Sequence, residues 1–482
     1  MNQFLLKKGM IFGITFLLIE SGLVASISSS ESTINISELG HTLHVDDSES
    51  KNYCSIQSAI NYINESHLIP GVPIIGQDNR FYCHISSHTM LLNYYGFNLT
   101  KYEVFYFMGG GFSLFYHPSR YLKPYSSSGC AFRPSNYDYI ASLLDLEFQP
   151  FHVDLTLPED IVWGKIWNCI KENISLNQPV VVNLDGAILF ADHIGIKIPT
   201  TIWKNIPINA SHAVIVVGYN ETNQSICYND PQYSNFGDEQ RGSYVWVDTE
   251  IFKTSFRRFS SIFPSTYRIK SYKKPVNVSY NKEEIIEQAY YRNIKRLQGD
   301  YRYYVSDIDF PNSYNLTSNF TYGINASKEI KKIFGNGLQT QLYTILQYKL
   351  AAKLGIKNTF FNILELIFQR LFEKDISYVL DLTIPGYENI YRKIAEEKQI
   401  VSDVLSNYSY QSPEYQTCSD LLQNESELWL KFAAYDRILR NKGFFITTLR
   451  ALHMFNQMEM IMEEIIQIEQ NILSFERGLV ST

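Results

Sequence analysis

A chain of 482 residues with 45% hydrophobic and 19% charged side chains holds enough apolar material for two folded domains. Its net charge of −7, with no basic stripe interleaved with aromatics and no Gly-rich phosphate loop, argues against nucleic acid as a partner.

The first 28 residues have the form of an export signal: Lys7 and Lys8, the apolar run Met10 to Ile19, then small residues around Ala25, Ser26 and Ser28. A spanning helix needs about 20 apolar residues. Glu20 interrupts this run, so the expectation is a cleaved signal, a mature protein outside the cytoplasm or in a lumen, and no stable membrane span after signal removal. An uncleaved signal would leave an anchor. Residues 29–52 are polar and read as a flexible lead-in. Thirteen Asn-x-Ser/Thr sequons fit an exported and glycosylated protein, although a glycan on Asn209 would obstruct the site described next.

A globular domain is expected over residues 53–272. Its organising stretch is Gln77 to Gly96, QDNRFYCHISSHTMLLNYYG. Apolar residues after Cys83 recur near helical spacing, and Gly96 stands where a helix ends in a left-handed residue. Cys83 then falls at the first helical turn, where unpaired N–H groups and the helix dipole favour a thiolate, the attacking form of cysteine. Gln77, six positions upstream (83 − 77 = 6), can bring its amide beside the Cys83 N–H as a second oxyanion donor.

Downstream, Gly109 to Gly111 read as a tight turn between apolar segments rather than a substrate loop. A helix at PSNYDYIASLLDL, a strand at LEFQPFHVDL, a helix at IVWGKIWNCIKENISLN and a strand at NQPVVVNL follow. The connection from Asp185 to Pro207 is long enough to form a lid or one wall of a cleft. His212 then opens SHAVIVVGYN, a buried strand, 129 positions after the cysteine (212 − 83 = 129). Past a hairpin-like turn at NETN, the next strand ends at Asp230, 18 positions on (230 − 212 = 18), where a carboxylate can orient the imidazole. YVWVDTEIF and SIFPSTYRIKSY read as further strands.

Gln, then Cys at a helix start, then His opening a strand, then Asp in an Asp-Pro pair resembles the papain-like cysteine peptidases, most nearly the bacteriocin-leader-processing branch. Within it, the NYYG and GGG of residues 77–111, NQPVVVNLD, HAVIVVGYN and YNDP resemble the N-terminal domain of the butirosin-biosynthesis H family, which includes an aminoglycoside acyltransferase. The resemblance covers roughly residues 70 to 260 and implies an α+β papain-like thiol-enzyme domain with a Cys83, His212, Asp230 triad, Gln77 beside it, and no cofactor. Its peptidase members usually have Gly after the nucleophile. Here that residue is His84, which would crowd the groove or reshape the pocket.

Rival sites are weaker. His84 and His88 are four apart and could join Cys83 around a metal, but HISSH lacks the glutamate of the zinc-protease motif. His193 is a second possible base in a loop, with no Asp at the end of a neighbouring strand. With Cys83 free, Cys54, Cys130, Cys169, Cys227 and Cys418 allow at most two disulfides; Cys227 reads as a buried small hydrophobe. After a pause at Lys273, Lys274 and Pro275, residues 273–482 read as a mostly α-helical domain, in which Met454, Met458, Met460 and Met462 are expected to be core. Three functions stay open: a hydrolase of an amide or peptide bond, an acyltransferase to an amine, and an inactive binding protein on this fold. The expected partner is a peptide or other amide-containing substrate; the oligomeric state is not legible.

Overall fold

The computed structural model describes residues 66–77, 82–116, 134–151, 153, 157–193, 211–236, 239–262, 269–273, 275, 278–300, 321–335, 390–442 and 447–479. The export-signal region, the lead-in, Cys54, Cys130, most of the connection before His212 and the helices expected between Leu338 and Phe372 lie outside them.

The fold is α+β. An antiparallel sheet is formed by β1 (Ser66–Leu68), β3 (Phe148–Phe151), β4 (Val180–Asp185), β5 (Ser211–Asn220), β6 (Ser225–Asn229), β7 (Val245–Asp248) and β8 (Ile269–Tyr272). Its order is β3-β8-β4-β5-β6-β7, with β1 paired to the far end of β5. VVVNLD in β4 and Ala213–Val217 in β5 are buried at every position, the pattern of central strands covered on both faces. Cover comes from α1 (Cys83–Tyr94), α4 (Glu159–Ser175) and α6 (Thr249–Ile262). Continuing the Ile215–Asn229 pairing by one step sets Asp230 beside Val214, two residues from His212 and on the same face.

α1 is buried along its length from Cys83 to Leu92, so its polar side chains need partners inside the protein. Ser86 donates to the Gly76 carbonyl, Ser87 to Ala213 and Thr89 to Ile85. The helix stops at Tyr95, and Gly96 adopts φ +98°, the left-handed exit expected of it. α2 (Lys101–Phe107) begins with a capping box between Thr100 and Glu103. The glycine turn after it is buried: a Cβ at Gly109, where φ is +87°, would strike Arg296, and one at Gly110 would strike the Phe105 ring.

Two readings of local structure change. TEIF, taken with the strand before it, opens α6, and Ser261–Ile262, taken with the strand after it, close it, leaving Ile269–Tyr272 as that strand; the Asp248 carboxylate accepts the Glu250 N–H and caps the helix. His193, expected in a loop, is the last residue of α5 (Gly186–His193); its side chain lies outside the described residues.

A two-stranded ladder joins β2 (Phe115–Tyr116) to β9 (Thr321–Tyr322). The remaining elements are α3 (Pro134–Leu143) and the C-terminal helices α7 (Lys282–Gln298), α8 (Ile324–Gly335), α9 (Ile390–Asn407), α10 (Pro413–Lys442) and α11 (Thr448–Leu479). α7 has Asn281 as N-cap, acidic residues in its first turn, basic residues in its last and left-handed Gly299 at its end, each matched to the helix dipole or to orphan backbone groups. The apolar core is shared: Phe105, Phe107, Ile286, Tyr290, Ile294, Val401, Leu405 and Leu422 belong to one cluster with α1 and the sheet. A second cluster holds Met454, Met458 and Met462 with Phe334, Trp429 and Phe432, while Met460 is exposed. Among the described residues no helix is long and apolar enough to cross a membrane.

Candidate active site

Three local decisions build the site. The first is the start of α1, where Tyr82 contributes no side-chain cap and the first turn carries no acidic residue. The leading N–H groups therefore face Cys83 with no side chain of the first turn competing for them. The second is the register of β4 against β5, which pairs Leu184 with His212 and brings the chain reversal at Gly186 against the imidazole. A Cβ on Gly186 would lie 2.8 Å from the His212 Cβ, so only glycine lets the chain pass there unmoved. The third is the end of β6, where Asp230 donates its N–H to the Gly242 carbonyl at 2.8 Å and the chain turns into a short 3-10 helix at Pro231–Phe236.

These bring Cys83, His212 and Asp230 together, all buried. His212 Nε2 and Asp230 Oδ1 are 2.7 Å apart. With Nε2 held there, Nδ1 is the nitrogen left to face the thiol, and a hydrogen bond and the charge of Cys83 both act on the His212 ring. Burial alone would lower the basicity of this imidazole. The Asp230 charge and hydrogen bond, followed by those of Cys83, outweigh it and raise its pKa to about 10. This is the environment of a protonated imidazole held between the Cys83 sulfur on one side and a carboxylate on the other.

Residues 69–262 match the Peptidase_C39 like family. No curated protein matches the chain. The matched span contains Gln77, Cys83, His212 and Asp230, ends with α6, and supports a papain-like cysteine peptidase-type domain with hydrolase chemistry. The helices after Tyr272 lie outside it.

Gln77 is buried beside the Asp230 turn: its N–H donates to the Pro231 carbonyl at 2.8 Å, and its Nε2 donates to Gln232 Oε1 at 2.5 Å. α1 packs against the same turn, so Gln77 reaches the nucleophile's neighbourhood through the segment that carries the carboxylate. Gln232 was missed in the sequence. Its only signal there is that it follows Asp-Pro, which says nothing of what its side chain meets.

His84 does not crowd a groove. It is fully buried on the inward side of α1, with Nδ1 3.3 Å from the Tyr137 hydroxyl, which in turn accepts from Lys270 at 3.0 Å. The His88 ring stacks on Tyr137 at 4.3 Å. Burial first, then the Lys270 charge, holds both histidines well below the usual imidazole range, the opposite direction from His212. Cys169, Cys227 and Cys418 are free and buried, and Cys227 is the small core residue expected of it.

Proposed function

We propose that this protein is a cysteine hydrolase that cuts an amide or peptide bond through an acyl-Cys83 intermediate. The Cys83 thiolate attacks the carbonyl carbon, and the C–O double bond opens to an oxyanion taken up by the Cys83 N–H and the Gln77 amide. The C–N bond breaks as the His212 imidazolium gives its proton to the leaving amine. Neutral His212 then takes a proton from water, the resulting hydroxide attacks the thioester, and collapse breaks the C–S bond, releasing the acid and restoring the thiolate–imidazolium pair. Asp230 holds the ring in the orientation both steps use.

The observation that carries this reading is the ring of His212 held at Nε2 by Asp230 and bonded from its other side to the thiol at the head of α1. The match of residues 69–262 supports the same class. The signal-like N-terminus and the sequons favour an export route for the enzyme, and on such a route water and polypeptides are abundant and activated acyl donors are rare.

The test is labelling with a peptide thioester or a thiol-reactive peptide probe, followed by identification of the modified residue and of the acyl group's fate. Label on Cys83, lost in Cys83→Ala, with release of free acid is expected. Label elsewhere ends the reading. An acyl-enzyme that is stable in water and is discharged into an amide by added amines would make the protein an acyltransferase instead.

A further inference from the structure

The mechanism above asks Gln77 to present an N–H to the developing oxyanion, but a primary carboxamide can present either end. Flipped by 180°, Gln77 would turn its carbonyl oxygen toward the oxyanion and oppose the reaction. Something must choose between the two orientations.

Gln232 stands where that choice is made. Its backbone N–H donates to Asp230 Oδ1 at 2.8 Å, the same oxygen that holds His212. Its side-chain Oε1 accepts from Gln77 Nε2 at 2.5 Å, and the Gln77 backbone is pinned to the preceding Pro231. Gln77, Gln232 and Asp230 are all buried, so water is a poor substitute for these bonds. With Gln232 Oε1 turned toward it, a flipped Gln77 would set two amide oxygens against each other at that 2.5 Å contact. We propose that Gln232 is a positioning residue that locks the Gln77 carboxamide in its donating orientation, so that the turn Asp230-Pro231-Gln232 sets the base and the oxyanion donor together. This rests on the hydrolase reading and adds a residue to it.

The experiment is a double-mutant cycle on the full chain with a peptide thioester or amide substrate: wild type, Gln77→Ala, Gln232→Met, Gln232→Leu, and each Gln232 change combined with Gln77→Ala. Steady-state kcat and KM are measured, together with the rate of Cys83 alkylation by iodoacetamide, a displacement in which no oxyanion forms. The expected result is a fall in kcat of about 10-fold or more in both Gln232 variants, KM within about twofold, and unchanged alkylation. In the Gln77→Ala background the Gln232 changes should add nothing beyond about twofold. Equal effects in both backgrounds, a loss of alkylation parallel to the loss of kcat, or wild-type kcat in the Gln232 variants would overturn the positioning role while leaving the hydrolase standing. A wild-type enzyme that never acylates Cys83 would remove both.

Discussion

His212 is buried yet keeps its proton more firmly than a free imidazole, because Asp230 and Cys83 offset the cost of burial. The sign follows directly. With a folded pKa raised from 6.5 to about 10, the group's contribution to stability is complete below about 6.5 and is lost as pH rises toward 10. The His212 proton is lost over the same upper limb, so kcat/KM should fall as pH passes about 10. In Asp230→Asn that limb should move down by about one unit or more and kcat should fall at least tenfold, which pH–rate profiles of the two proteins would check. A limb that stays in place in Asp230→Asn would separate Asp230 from the titration. Cys83, His212 and Asp230 were legible because thiol, imidazole and carboxylate are few and their order is informative. Gln232 was not, since its meeting with Gln77 spans 155 positions and glutamine carries no distinctive chemistry by itself. The direction of His84 was misjudged for a related reason: neighbours on a helix point about 100° apart, and only the packing around α1, which buries Cys83 and His84 alike, decides what each side chain meets.

Elements were legible where a period or a cap marked them. The buried runs of β4 and β5, the hairpin between β5 and β6, and the long C-terminal helices follow from apolar pattern alone. α2 escaped notice because seven residues are too few to show a helical period, although Thr100 and Glu103 stand at capping-box spacing. α6 escaped because Val-Trp-Val favours a strand and the helix begins one residue after the strand ends. Two glycines give tests at this scale. Gly186→Ala puts a methyl against His212, so activity should drop several-fold or more with little change in fold, read by kcat beside circular dichroism. Gly109→Ala combines a left-handed backbone with a clash on buried Arg296, and should cost about 1–3 kcal/mol of unfolding free energy by denaturant titration. A Gly109→Ala protein as stable as the wild type would show that the turn can relax.

At the scale of the molecule, the span that resembles peptidases does not close its own core. Ile285, Ile286, Tyr290, Ile294 and Leu297 of α7 are buried in the cluster that holds α1 and the sheet, and each is worth about 1.5–3 kcal/mol when removed from water. Glu103 adds polar ties across the same boundary, accepting from Tyr408 and pairing with Lys282 at 3.0 Å. The sum of those α7 terms is comparable with the whole net stability of a domain, about 5–15 kcal/mol. A fragment ending at Tyr272 should therefore bind a hydrophobic dye and lack a cooperative melt. The C-terminal helices carry a pH dependence of their own. Burial, then the Glu425 charge, pushes the Glu469 carboxyl well above the usual carboxylate range, with Lys398 and the Ser327 hydroxyl opposing. Its raised affinity for a proton means stability held below about pH 4.5 and lost as pH climbs through neutrality, so melting temperature should fall toward alkaline pH, and less steeply in Glu469→Gln. Cys83 is 1% exposed. For a reagent in solution, that makes access an event in time: the closed state must open before any encounter counts. Inactivation by a thiol reagent should then climb with concentration and level off at a ceiling equal to the opening rate, and reagents of different intrinsic reactivity should share that ceiling.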